Sequence, residues 1–306
     1  MKHRTLTCLA LATAAALAAA PSATAAAVAV PSAATAAPAP LTGAAVYATY
    51  TKGYKVARYQ PGTGWRTLAA PSATGQFAAS PDGKKVAWVT DGGRLVVRQG
   101  GKVTTVAQGL TAGVPCLTPV WSPDSRRLAY VVGGKAEKQV VTVVNADGTG
   151  ERDAGSTTGV CHLAWSANGR YLAGFAGTTE GVYRLDLTTR RSVKVKGVTL
   201  ANHVQGLSPD GRKVIVNLLG RDDPGGDGSW PTAFKPAIVD AVTGARQPIG
   251  VRGTLLGAFY LPDGRLVVRV AGASRNTLVV LSAAGKTLQR IPEPAAAKNQ
   301  ALLQVL

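Results

Sequence analysis

Two histidines invite a chemical reading first. His162 and His203 stand four and five residues before the serines of two similar turns, Ser166-Ala167-Asn168-Gly169 and Ser208-Pro209-Asp210-Gly211. Imidazoles at matched positions can act as general acid and base or as metal ligands. A later segment, 221–234 (RDDPGGDGSWPTAF), adds Asp222, Asp223, Asp227 and Trp230. Such a set would serve a small lyase or hydrolase acting on an acidic glycan, or a bound divalent ion. The spacing, however, matches neither an EF-hand loop nor a zinc pattern, and no Gly-x-Ser-x-Gly nucleophile elbow occurs. No metal, cofactor or catalytic residue is therefore expected. The same six residues become candidates for binding a partner, an exposed tryptophan beside carboxylates suiting a protein epitope or a sugar ring.

What would position them is a repeat. Ser80-Pro81-Asp82-Gly83, Ser122-Pro123-Asp124-Ser125, the two turns above and Leu261-Pro262-Asp263-Gly264 follow one another in steps of 42, 44, 42 and 53 residues. In the common form proline presets φ, the acidic or amide side chain bonds the backbone that follows, and glycine supplies positive φ; Ala167 replaces the proline in one copy and Ser125 the glycine in another. The repeated aspartates Asp82, Asp124, Asp210 and Asp263 thus belong to turns and not to a catalytic set, and Asn168 substitutes for one without spoiling the pattern. Trp88, Trp121 and Trp165 fall on strand positions that pack between units.

An apolar run follows each turn, as in KVAWVT, LAYVVG and KVIVNLLG, and a second hairpin follows that. Four short strands per unit, at a period of about 40–45 residues, predict the blades of a β-propeller. Residues 43–290 show no helical periodicity. Residues 44–70 supply the outer strands of a further blade that lacks an inner strand, and the apolar 301–306 segment (ALLQVL) can complete it. The prediction is an all-β, six-bladed propeller closed by pairing of its N- and C-terminal strands. Loops joining successive blades and the second-to-third-strand loops within a blade then share one face. That places His162, His203 and the 221–234 insertion, which accounts for the 53-residue step, on the same side.

Aromatic-Ser-Pro-Asp-Gly-basic-basic-apolar stretches, clearest at 121–130 and 165–175, resemble the WD-like repeats of the TolB-like β-propeller family. The likeness covers nearly all of the chain after its N-terminal segment. It implies a propeller scaffold of periplasmic or secreted proteins whose functions are diverse.

The N-terminal segment reads as a targeting signal. Lys2 and Arg4 precede an apolar run too short to span a bilayer, and small residues permit cleavage after Ala25 or as late as about residue 36. Residues 26–42, rich in Ala and Pro, read as a disordered spacer, and 43–306 as the propeller. No later run is long enough for a membrane helix, so a secreted or extracytoplasmic monomer is expected. Outside the signal the cysteines are Cys116 and Cys161, six and five residues before consecutive turns. In an oxidising compartment they predict a disulfide, the alternative being two buried thiols. The 34 Lys and Arg against 16 Asp and Glu leave a net charge of +18. The basic residues are scattered and not interleaved with aromatics, which argues against nucleic acid. They fit attraction to an anionic envelope polymer, or solvated blade edges kept from pairing. The functional expectation is an exported, non-catalytic binding or scaffold propeller that engages a protein or an envelope polymer through its loop-bearing face.

Overall fold

A computed structural model describes residues 38–223 and 231–306. Asp227, Trp230, the 1–25 signal and the spacer up to residue 37 lie outside the described residues. The compact unit, Ala39–Leu306, is a six-bladed β-propeller of four-stranded antiparallel blades. The innermost strands of blades two to six are Phe77–Ala79, Val120–Trp121, Gly159–Trp165, Ala201–Leu207 and Leu255–Tyr260. Among the described residues the one helical element is a 3-10 turn, Ala295–Ala297, and no helix is long and apolar enough to cross a membrane.

Blade one is split between the ends of the chain. Ala301–Val305 is its inner strand and pairs antiparallel with Ala45–Tyr50, which is followed outward by Tyr54–Gln60 and Gly64–Ala69. Leu302 and Leu303 are buried here. The closing strand therefore removes what would be an exposed edge and buries its own apolar side chains at the same time.

The turn motif works through hydrogen bonds repeated around the ring. Asp82, Asp124, Asn168, Asp210 and Asp263 each accept the amide two residues on, at 3.0–3.1 Å. In the four Ser-initiated turns the serine hydroxyl donates to the same oxygen. The fourth residue takes positive φ, including Ser125 at 58°. A serine is placed there because its Oγ accepts the amide of Asp82 from the preceding blade at 3.0 Å, coupling the two turns. Trp121 also ties blades, donating from Nε1 to the Ala78 carbonyl at 3.1 Å.

The first residues of the unit differ from the expected spacer. Leu41 exchanges hydrogen bonds with the Gln289 side chain, and Arg265 donates to the Ala39 carbonyl. Residues 39–42 run along blade six because Gln289 of its outer strand Thr287–Pro292 and Arg265 of its turn offer polar side chains to their backbone.

Candidate functional site

The two histidines are not on connections between blades. His162 lies inside the inner strand Gly159–Trp165 and His203 inside Ala201–Leu207. Each has left-handed φ, 45° and 52°, where the register with the next strand shifts. These bulges aim both side chains into the gap between blades four and five, where the rings stack at 4.1 Å with Phe175 alongside. His162 is fully buried and His203 nearly so. The sequence pattern missed this because a bulge adds a residue to the strand, so counting back from the turn placed its start too late.

The position four residues before the turn's first serine is a tie between blades elsewhere too. In blade two it is the buried Gln76, whose amide bonds the Thr111 and Leu117 carbonyls and accepts the Gly113 amide. The amide of His162 itself donates to the Cys116 carbonyl at 2.8 Å. Beside that bond Cys116 and Cys161 are joined, with Cα atoms 4.5 Å apart. Cys116 precedes its blade's inner strand, which is only Val120–Trp121, whereas Cys161 lies within its own.

Asp222 and Asp223 do not join the buried histidines. Asp222 and Asp223 are exposed between the strands Lys213–Leu218 and Pro236–Asp240, and Asp223 accepts the Gly220 amide at 2.6 Å. Among the described residues no group of three or more His, Cys, Asp or Glu side chains is placed to share a metal ion. The far end of the insertion is anchored and does not behave as a free loop. Phe234 is buried, and its amide donates to the Leu256 carbonyl at 3.1 Å.

Concave space exists at both ends of the axis. On the turn side, a cavity of about 220 Å³ is ringed by inner strands of all six blades, with Pro81, Pro123, Pro262 and Trp121 in its wall. Gln205 and Gln304 also line it, each already tying adjacent blades, and no acidic or basic side chain does.

On the loop-bearing face a second cavity, of about 460 Å³, opens beside blade one. The hairpin turn between Ala45–Tyr50 and Tyr54–Gln60 builds its wall. Tyr50 and Tyr54 are direct cross-strand partners, their rings 4.8 Å apart, and Tyr54 packs in turn on Phe77 at 5.0 Å. This ladder of rings runs from core to solvent, and Tyr50, at its outer end, is 65% exposed. Thr232 of the insertion and the 296–301 segment complete the rim. Neither tyrosine was singled out in the sequence; the signal was there in Tyr50-Thr51-Lys52-Gly53-Tyr54, two rings flanking a short turn.

The rim is held by a buried guanidinium. Arg269, at 1% exposure, pairs with the equally buried Glu293 at 2.9 Å. It also donates to the carbonyls of Ala297 at 2.9 Å, Gln300 at 2.8 Å and Thr232 at 3.4 Å. Tyr47 donates its hydroxyl to Glu293 at 2.8 Å, and burial together with that carboxylate pushes the phenol well above its usual range. One cation therefore fastens blade six, the strand returning to blade one and the insertion of blade five.

No family model and no curated protein matches the chain. Among solved structures it is similar to TolB from Acinetobacter baumannii, with 16% identity and a TM-score of 0.56 over 87% of this chain and 68% of that one. A putative TolB from Agrobacterium tumefaciens aligns with 15% identity and a TM-score of 0.48, over 78% and 92%. A chain of a nidogen/laminin complex aligns with 11% identity and a TM-score of 0.49, over 86% and 100%. At such identities the likeness to TolB concerns the propeller fold.

Proposed function

We propose that the chain is an exported, non-catalytic binding propeller that engages its partner through the loop-bearing face. The observation that carries this reading is the cavity of about 460 Å³ beside Tyr50, a size in the ordinary range for ligand sites. A large aromatic residue left 65% exposed at such a cavity is an anchor of the kind that dominates recognition. The rigid ring of blades and the Arg269 latch hold that anchor in place before any partner arrives, which lowers the ordering cost of binding.

Lyase or hydrolase chemistry at the axis has less to support it. The side chains lining the axial cavity are apolar, aromatic or amide, and His162 and His203 are packed against each other between blades. Export rests on the basic-then-apolar N-terminal segment. The Cys116–Cys161 bond agrees with an oxidising compartment, and the net charge of +18 would keep the protein close to anionic envelope surfaces.

The test is capture from a native envelope fraction by the exported protein, compared with Tyr50→Ala and with Arg126→Glu on the opposite face. Loss of the same partner with the first variant alone supports the reading. A partner retained by Tyr50→Ala and lost with Arg126→Glu moves the site to the turn side.

A further inference from the structure

We propose that the Tyr50 cavity is a carbohydrate site that stacks an uncharged sugar ring of a neutral glycan on the face of Tyr50. This rests on the reading of the loop-bearing face as the binding surface and adds the class of ligand.

The argument is one of chemical match. A pyranose presents an apolar C–H face and an edge of hydroxyls that both donate and accept. A site for it needs an exposed aromatic plane, neutral hydrogen-bonding groups around that plane, and no charge requiring compensation. Tyr50 supplies the plane. Its ring meets that of Tyr54 at 4.8 Å with the planes tilted by 55°, and the residue as a whole is 65% exposed, so the ring is held but largely uncovered. Besides the tyrosines, the polar residues lining the cavity are, among the described residues, Thr49, Thr51, Thr232, Asn299 and Gln300, all uncharged. Gln300 spends its amide nitrogen on the Ala296 carbonyl at 2.8 Å, which fixes the side chain. Its Oε1 has no partner among the described residues and is left to accept from a hydroxyl. The nearby cation Lys298 donates to the Ala273 carbonyl and is not among the residues lining the cavity.

The uncharged lining, among the described residues, contrasts with a chain that is so basic as a whole. With 34 Lys and Arg in 306 residues, a site for an acidic polymer would be expected to draw on them, and among the described residues none lines this cavity. Charged ligands would forgo any ion pair there. The occupant is a neutral glycan, and its recognition is independent of the electrostatic attraction that holds the protein near an anionic surface.

Isothermal titration of the exported protein with N-acetylchitotetraose and cellotetraose, and with tetragalacturonate as the acidic counterpart, tests this. A neutral oligosaccharide should bind with an affinity unchanged between ~50 and ~500 mM salt, since no ion pair forms. Tyr50→Ala should weaken it about tenfold or more, while Tyr50→Phe, which keeps the ring, should stay within about threefold. Preference for tetragalacturonate, with an affinity that falls as salt rises, would overturn the neutral-glycan assignment. So would failure of all three saccharides while a protein partner is still captured in a Tyr50-dependent way; the binding face would stand and its ligand class would not. Binding of any partner that is indifferent to both Tyr50 variants would overturn the binding face as well.

Discussion

Replacing Arg269 with methionine should be among the most damaging single changes available in this propeller. The substitution keeps most of the apolar volume and deletes the guanidinium. Glu293, at 2% exposure, is then a buried carboxylate with only the Tyr47 hydroxyl for company, the Gln300 carbonyl loses its donor, and the Ala297 carbonyl keeps only the Gln300 amide. Breaking a buried pair from one side costs about 3–5 kcal/mol, largely because the remaining charge stays desolvated. Taking about 4 kcal/mol, and about 2–4 °C per kcal/mol for a domain of this size, the melting temperature should fall by about 8–16 °C. Circular dichroism melts of the full chain would measure it. Removing the stranded groups as well, in Arg269→Met with Glu293→Leu and Tyr47→Phe, should recover most of the loss, because an apolar replacement of a buried pair is often close to neutral. The single variant should also weaken capture at the Tyr50 cavity, since Thr232 and Gln300 would lose the donor that holds them. A loss below about 1 kcal/mol for Arg269→Met, or a triple variant no more stable than the single one, would refute the latch.

Other consequences follow from the same geometry. Deleting residues 301–306 strips two buried leucines and exposes the edge of Ala45–Tyr50, so stability should drop by about 4 kcal/mol or more, read from urea unfolding. Protein purified without reductant should show no alkylation of Cys116 or Cys161 by mass analysis until it is reduced. Opening this bond, which spans a sequence separation of 45, by a double Cys→Ser change should cost up to about 4 kcal/mol. The turn carboxylates Asp82, Asp124, Asp210 and Asp263 sit below the ordinary carboxylate range. Burial alone raises them, but the bonds from the neighbouring hydroxyl or guanidinium and from the amide two residues on outweigh it. A folded pKa below the unfolded value of about 3.9 means their contribution is present above that pH and lost as the pH falls through the folded value. Thermal melts should therefore owe no change to these groups between about pH 7 and 5, and should fall below about pH 4. Asp124→Asn should be tolerated at neutral pH within about 1 kcal/mol and should flatten part of that acid limb, because Asn168 already fills the same role.

The scaffold was legible because its signal is local and repeated. Ser-Pro-Asp-Gly specifies a turn through its own side chains, and five copies at similar spacing leave little choice but a radial array. The closing strand could be read as well, since 301–306 is apolar and 44–70 lacks an inner partner. Most of the site was less legible because it depends on contacts between distant segments. The spacing to the turns points to loops for His162 and His203, whereas bulges carry them into strands. Arg269 interrupts an apolar run, RLVVRVAG, which marks it as unusual, yet nothing local says that its partners are Glu293, Ala297, Gln300 and Thr232. Tyr50 and Tyr54 look like ordinary hairpin residues until the 296–301 segment and Thr232 are brought opposite them.

Photo-crosslinking from each face in turn tests the central claim most directly. A benzophenone side chain at Thr51, on the rim of the Tyr50 cavity, and another at Arg126, exposed on the opposite turn face, would be irradiated in the native envelope. The account predicts a specific adduct from position 51, competed away by unlabelled protein but not by its Tyr50→Ala variant, and none from position 126. A specific adduct from position 126 alone would contradict it.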